Sequence, residues 1–214
     1  MNERAGSDEA LRLIDDAGRL GVPLDREGAA ALLGLLDELS VWNRAYSLSA
    51  ITAREAMIRG HLLDSLSAWP DLAGTRIADV GTGAGFPGLP LALVAPERHF
   101  TLIDSVAKKI RFVTHATRRL GLSNVSVLQA RVETLRPQVP FDTVIARAYA
   151  ALPDLLESVQ GLAGPGTRVV ALKGRFPREE LSALPQGWRV QQCRAVQVPG
   201  LAAERHVLQL VPQA

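Results

Sequence analysis

The sequence predicts an α/β fold in which a mostly parallel, doubly wound sheet ends in an antiparallel hairpin and follows an N-terminal helical segment. From residue 76 onward, short apolar runs typical of buried strands alternate with segments of helical periodicity. This alternation is the pattern of a parallel sheet with helices on both faces. Near the C-terminus, two strand-like runs follow each other with no helical pattern between them. We therefore expect the last two strands to run antiparallel.

Three helical patterns precede the first strand. Apolar residues recur at helical spacing over residues 8–20, over a longer segment at 25–42, and again over 52–66. The predicted organisation is a helical segment at 1–70, packed on a core domain at 71–214.

Two pairs of side chains in the helical segment have open roles. Trp42 and Tyr46 stand four residues apart, and we expect them to be core aromatics rather than base-stacking platforms. His61 and Asp64 either touch a substrate or form a hydrogen-bonded structural pair.

A strand, a glycine turn and the start of a helix are predicted in direct succession within residues 76–91. Gly81, Gly83 and Gly85 lack Cβ atoms where the backbone must bend sharply and approach a bound group. Prolines in the following segment suit a first helical turn, where no amide hydrogen is needed. We therefore expect a ligand on this turn.

The alternation of strands and helices continues beyond the turn. Apolar runs predict the strands, and amphipathic spacing predicts the helices between them. The predicted elements are strand 99–104, helix 106–120, strand 124–129, strand 141–146, helix 152–162, strand 167–172, helix 178–184, and terminal strands 188–198 and 206–211.

Composition limits the functional class. The chain has 214 residues, 47% of them hydrophobic, which suffices for a sizeable core. Its formal charge is only +2, so any affinity for nucleic acid must come from local patches. A single cysteine, Cys193, excludes a disulfide framework and a multi-cysteine metal site, and it fits a reducing compartment.

Sequence signals for export, membranes, metals and hydrolysis are missing. The chain shows no signal peptide and no apolar run near the roughly 18 residues of a membrane span. Its histidines are isolated and no G-x-S-x-G segment occurs, so we expect neither a metal site nor a serine hydrolase. The cytoplasm is the expected location.

Two cofactor classes fit the glycine turn. Residues 83–88 satisfy the dinucleotide pattern G-x-G-x-x-G, and Asp104 follows at close to the usual offset of roughly 20 residues for a ribose-binding carboxylate. Residues 79–85 also resemble the acidic-x-Gly-x-Gly-x-Gly loop of Rossmann-like class I S-adenosylmethionine-dependent methyltransferases. That resemblance implies that Asp79 lies near the amino-acid end of the cofactor and that Asp104 takes the ribose hydroxyls.

The terminal hairpin favours the methyltransferase interpretation, because a hairpin that closes a parallel sheet is typical of that fold and dinucleotide-binding folds lack it. Three alternatives stay open. The first is an NAD(P)-dependent oxidoreductase, and the second is a cofactor-sensing RNA-binding module without transfer activity. The third is a glycine turn that binds no nucleotide.

The methyl acceptor can be narrowed by chemistry. Methylation of pyrimidine carbon uses a cysteine nucleophile, but Cys193 falls inside a predicted strand, away from the strand ends where ligands collect. The Asn/Asp-Pro-Pro-aromatic segment of exocyclic amine methyltransferases is missing after the fourth strand. Guanine N7 has an available lone pair, so transfer to it needs orientation but no general base.

The predicted helix at 106–120 has one apolar and one basic face. We expect its buried stripe to consist of Val106, Ile110, Val113 and Leu120, with Thr117 as the polar member. The basic face contains Lys108, Arg111, His115 and Arg119. Lys108, Arg111 and Arg119 are candidates for contact with RNA phosphates, and a merely solvated face is the alternative.

Eight segments, in order along the chain, resemble the family of ribosomal RNA small subunit methyltransferase G, also called the glucose-inhibited division protein B family. They lie at 42–46, 61–65, 79–90, 102–105, 131–133, 146–148, 171–174 and 204–206. That family makes 7-methylguanosine at one guanosine of bacterial 16S ribosomal RNA. The resemblance implies S-adenosylmethionine as cofactor and 16S rRNA, or the small ribosomal subunit, as partner.

The resemblance also implies site residues. It implies that Gly81 and Phe86 contact the cofactor, that Val132 and Glu133 flank its adenine, and that Arg147 lies at its binding cleft. Together with the turn and strand-end residues, the expected cofactor-binding residues are Asp79, Gly81, Gly83, Gly85, Phe86, Asp104, Val132, Glu133 and Arg147.

Lys173, Arg205 and His206 are implied to gather near the target base, and no residue is assigned as catalytic. Simpler roles remain open, namely a helix cap for Glu133 and a loop ion pair with Glu204 for Arg205. The segment Ser47-Leu48-Ser49 departs from the family's usual Asn-Leu-Thr, so no contact is carried over there.

Overall fold

A seven-stranded sheet forms the centre of the computed structural model, which describes the backbone of residues 2–213 and the side chains of residues 6–213. The strands are β1 (Arg76–Val80), β2 (His99–Asp104), β3 (Val125–Gln129), β4 (Thr143–Arg147), β5 (Arg168–Lys173), β6 (Trp188–Ala195) and β7 (His206–Pro212). Their spatial order is β3-β2-β1-β4-β5-β7-β6.

The first five strands run parallel to one another, whereas β7 is antiparallel to both β5 and β6. The predicted doubly wound sheet with an antiparallel end is therefore confirmed. The last strand of the chain lies inside the sheet, between β5 and β6. This arrangement brings the start of β7 beside the end of β5, where Lys173 is in register with His206.

The helices surround this sheet. They are α1 (Asn2–Arg19), α2 (Arg26–Tyr46), α3 (Arg54–Met57), α4 (Asp64–Leu66), α5 (Gly88–Val94), α6 (Ala107–Arg119), α7 (Leu152–Ser158) and α8 (Arg178–Ser182). A π-helix, Ile58–Leu63, joins α3 to α4, so the third predicted helix is continuous but widened. A pattern with a period of 3.6 residues predicts the helix but cannot show this extra width.

Both faces of the sheet are covered by buried apolar clusters. Successive residues of a strand point to opposite faces, so neighbours in one strand enter different cores. Ile77 and Ile145 belong to the core that the N-terminal helices share with α5 and α6, whereas Ala78 and Val144 belong to the core under α7. The first core is continuous from Leu13 to the sheet. The division at 1–70 and 71–214 stays a prediction.

Two predicted core positions are wrong. Tyr46 is 37% exposed, because it closes α2 at the surface, while Trp42 is half-buried against Phe112 with ring centroids 5.6 Å apart. Val106 is 38% exposed, because it is the residue before α6 rather than part of it. Phe112 and Ala116 complete the buried side of that helix.

Several predicted boundaries are also wrong by a few residues. The helix predicted to end at residue 162 ends at Ser158, and the strand predicted to end at residue 198 ends at Ala195. In both cases apolar residues continue into a turn, where they remain buried without regular backbone pairing, as Leu162 and Val198 do.

Gly74 sets the backbone conformation just before β1, and replacing it should lower the stability of the protein. Its φ is +66°, and a Cβ there would overlap Asp142, whose Oδ2 accepts hydrogen bonds from the amides of Thr75 and Arg76. We expect Gly74→Ala to cost about 1–2 kcal/mol for the backbone conformation and about 1–3 kcal/mol more for the overlap.

Gly21→Ala is the matched control, since Gly21 has φ +76° but no atom within 4 Å of the added Cβ. Gly21→Ala should lower the free energy of unfolding only by the cost of the backbone conformation. Urea unfolding of both variants measures the difference, and equal losses of stability would mean that Asp142 yields to the methyl group.

Candidate active site

A cavity of about 530 Å³ opens at the carboxyl ends of β1, β4 and β5, against the loop that follows α2 and the π-helix. It is lined by Leu48, Ser49, Ile51, Gly60, His61, Asp64, Gly81, Thr82, Gly83, Ala84, Phe86, Lys109, Arg147, Ala148, Leu172, Lys173, Gly174 and Arg205. The carboxyl ends of parallel strands are where ligands of open α/β sheets bind.

The cavity brings together half of the residues predicted for the cofactor and the target base. Gly81, Gly83, Phe86, Arg147, Lys173 and Arg205 line it. The other six predicted residues, Asp79, Gly85, Asp104, Val132, Glu133 and His206, are not among its lining residues.

Asp79 stabilises the glycine loop through hydrogen bonds. Its side chain is fully buried, and its Oδ2 accepts hydrogen bonds from the Thr82 hydroxyl and, at 2.8 Å, from the amide of Gly88. Burial raises the pKa of this carboxyl to about 6. Gly81 and Gly83 have φ values of +64° and +61°, in the left-handed region that favours glycine. The carboxylate thus holds the loop in the shape that the glycines permit.

Asp104 ends β2 and is bonded to the same loop. Its Oδ2 accepts a hydrogen bond of 3.1 Å from the amide of Gly83, and its Oδ1 accepts one of 2.9 Å from the amide of Val106. Lys109 lies 3.4 Å from the carboxylate. The second strand-end acid therefore lies beside the cavity, within reach of the turn.

Val132 and Glu133 lie in a short 3₁₀ helix after β3, where Val132 is buried and Glu133 is exposed. Tyr149 connects this helix to the cavity. Its hydroxyl donates a 3.5 Å hydrogen bond to Glu133, and its ring lies where a Cβ of Gly81 would be. Sequence reasoning missed Tyr149, which follows Ala148, a non-glycine residue with φ +50°.

Asp64 holds two arginines at the cavity wall. Its Oδ2 accepts a hydrogen bond of 2.9 Å from Arg147, and its Oδ1 accepts one of 2.7 Å from Arg205. Arg147 also donates to the backbone carbonyl of Gly60 at 2.7 Å. Asp64 is only 4% exposed, so this carboxylate is a buried bridge between the helical segment, the end of β4 and the loop before β7.

His61 lies beside this bridge in a neutral form. Its ring stacks on Phe86 with centroids 4.7 Å apart, and its Nε2 and the Ser49 hydroxyl are joined by a 2.8 Å hydrogen bond. Burial, and then the charge of Arg147, lower the pKa of His61 to about 4. Ser49 belongs to the segment that departs from the family pattern, and the structure places it in the cavity wall.

Lys173 and His206 start from paired backbone positions but differ in environment. The ammonium of Lys173 donates to the carbonyl of Ala150 at 2.8 Å and to Glu180 at 2.7 Å. His206 instead lines a second cavity, of about 880 Å³, which also contains Arg205. The sequence did not reveal a role for Glu180, because the spacing between Lys173 and Glu180 does not show that the two side chains pair.

The basic face of α6 is directed at α2. Lys108 donates to the carbonyl of Tyr46 at 2.9 Å, and the guanidinium of Arg111 lies 5.6 Å from the centre of the Tyr46 ring. Glu38 accepts from His115 at 2.8 Å and from Arg119 at 3.2 Å, and the hydrogen bond from His115 lowers the pKa of Glu38. Contact of this face with RNA stays a prediction.

The described residues contain neither a membrane-spanning helix nor a cluster of metal ligands. Between residues 2 and 213, no helix is long and apolar enough to cross a membrane. Among the side chains of residues 6–213, no group of three or more His, Cys, Asp and Glu residues could hold a metal ion. Cys193 is exposed on β6 and lies outside both cavities.

Several solved structures share this fold. TrmN from Thermus thermophilus aligns with a TM-score of 0.55 at 25% identity, over 80% of this chain and 52% of that one. A SAM-dependent methyltransferase from Thiobacillus denitrificans, in complex with S-adenosyl-L-homocysteine, aligns with a TM-score of 0.54 at 13% identity, over 82% of this chain and 98% of that one. The predicted class I methyltransferase fold is therefore confirmed.

Sequence comparison gives the family. Residues 29–208 match the family model GidB, described as rRNA small subunit methyltransferase G. Proteins of that name from Nitrosococcus oceani and Pseudomonas paraeruginosa are 46% and 45% identical to this chain. The first match covers 91% of both chains, and the second covers 96% of this chain and 95% of its relative. This chain therefore belongs to the rRNA small subunit methyltransferase G family.

Proposed function

We propose that this protein transfers the methyl group of S-adenosylmethionine to N7 of a guanosine in bacterial 16S ribosomal RNA, either free or in the small subunit. The observation that carries the proposal is that one cavity joins the glycine loop, expected to hold the cofactor, to Lys173 and Arg205, expected at the target base. Family membership favours this reaction over an NAD(P)-dependent oxidation. The reaction would take place in the cytoplasm.

The residues present fit the cofactor. A Cβ on Gly83 would meet only the carbonyl oxygen of Gly81, at 3.9 Å, so the space beside the loop is open to a ligand. Asp104 supplies a carboxylate at the end of β2 that can accept hydrogen bonds from ribose hydroxyls. Bound there, S-adenosylmethionine supplies a methyl group on a sulfonium centre.

The protein's own part in the reaction is orientation. Guanine N7 carries a free lone pair, so no group has to remove a proton from it. The neutral His61 and the buried Asp79 accordingly need no place in proton transfer. Arg205 and Lys173 can grip a phosphate or the guanine O6 acceptor and hold N7 in line with the methyl group.

Asp104→Ala should weaken S-adenosylmethionine binding by about 1.5–3 kcal/mol, the range for a charged hydrogen-bonding partner. Because Asp104 also accepts from the amides of Gly83 and Val106, the substitution combines loss of the ribose contact with loosening of the turn. Asp104→Asn is the matched control, since it keeps an acceptor oxygen and the volume. If calorimetric titration finds that the alanine variant binds S-adenosylmethionine as tightly as the parent, Asp104 is not a cofactor-binding residue.

Asp64→Asn should lower kcat/KM for methyl transfer by about 10- to 100-fold, because misplaced positioning groups cost rates of that order. Asp71→Asn is the control. Asp71 is equally buried and is bonded to Arg194 and Gln209, but it lies outside the cavity. Both variants should lose stability, and only Asp64→Asn should lose activity. Similar losses of kcat/KM would show that Asp64 matters only for folding.

The single-turnover rate should be nearly flat between about pH 6.5 and 9, where a titrating general base would give a rise. The pKa of His61 is about 4, so this ring is already neutral over that range and contributes no step. Rapid-quench measurements across the range test this. A tenfold rise per pH unit would refute a transfer without a general base, and digestion of the product would show whether the methyl group is on N7.

A further inference from the structure

Phe176 is a large apolar side chain left exposed in the lining of the second cavity. It lies in the short loop between β5 and α8, and it is 45% exposed. A single exposed apolar residue is ordinary in itself. Phe176 indicates a function because it lies between two cavities and has exposed arginines beside it.

The loop lies between the two cavities. Lys173 and Gly174, at its start, line the first cavity, whereas Phe176 lines the second together with His206. Arg205 lines both. A chain of nucleotides that entered the first cavity from the second would therefore pass Phe176.

The surroundings of Phe176 suit a nucleotide base. The guanidinium of Arg178 lies 6.0 Å from the centre of its ring, and the ring of His206 meets it edge-on at 5.6 Å. Arg175 and Arg178 are exposed, and within residues 6–213 neither forms an ion pair with an acidic side chain. They differ in this from Arg119 on α6, which is paired with Glu38.

The acids of this region are Glu179, Glu180 and Glu204, of which Glu180 is paired with Lys173. The patch is therefore only moderately basic. Charge alone would bind phosphates weakly here, so an aromatic stacking surface would supply a needed share of the affinity. Stacking of a base on an aromatic side chain is worth about 1–3 kcal/mol by alanine substitution.

We propose that Phe176, flanked by Arg175 and Arg178, is a stacking platform for an unpaired RNA base next to the target guanosine. The proposal rests on the proposed function. Guanine N7 faces the major groove, which is too deep and narrow in an RNA helix for side chains to read. The target must therefore leave a regular helix, and its neighbour then loses a stacking partner that Phe176 replaces.

The test compares variants at this one position. Phe176→Leu keeps an apolar side chain without an aromatic face, and it should raise the Kd for a single-stranded oligoribonucleotide about tenfold. Phe176→Trp keeps the stacking face, and its Kd should stay within about twofold of the parent. Val139→Ala removes another exposed apolar side chain, outside both cavities, and should leave the Kd unchanged.

Fluorescence anisotropy gives each Kd, and calorimetry with S-adenosylmethionine should show the same cofactor affinity in all variants. Binding of a fully paired RNA duplex should not respond to Phe176→Leu. If the leucine variant binds the single strand as the parent does, or if the tryptophan variant loses affinity with it, the platform is refuted. Methylation at N7 by the parent protein, measured separately on 16S rRNA, tests the proposed function itself.

Discussion

The wall of the cavity depends on one buried carboxylate shared by two arginines. Asp64 belongs to the helical segment, Arg147 is the last residue of β4, and Arg205 is the residue directly before β7. Each charge would be costly to bury without the others, since removal of one partner from a buried ion pair typically costs about 3–5 kcal/mol. The bridge therefore ties three distant parts of the chain into one surface.

The π-helix gives this bridge its geometry. The widened turn, Ile58–Leu63, contains Gly60 and ends directly before Asp64. Arg147 donates both to the carbonyl of Gly60 and to the carboxylate of Asp64. Widened turns of this kind occur frequently at functional sites. The same turn carries His61, whose ring packs on Phe86 at the end of the glycine loop. A local irregularity of one helix thus joins the arginines to the cofactor side of the cavity.

Much of the fold follows from the sequence because its determinants are local. Apolar runs locate all seven strands, and the glycines at 81, 83 and 85 locate the turn. The site is less predictable, since its contacts join residues far apart in the chain. Glu38, which faces the basic side of α6, lies about eighty residues before it. Glu180 and Tyr149 could not be assigned roles until the ends of β4 and β5 were placed beside each other.

The charges of the first cavity fit the reaction that N7 requires. Its cationic side chains are held by carboxylates in three groups, namely Lys109 with Asp104, Lys173 with Glu180, and both Arg147 and Arg205 with Asp64. Four cations thus face three carboxylates, and the surplus is one positive charge. Methylation at N7 makes the guanine ring cationic, and unpaired cations nearby would oppose this change. A nearly neutral inner wall can orient the base without that penalty, while the exposed Arg175 and Arg178 beside Phe176 add attraction for RNA phosphates.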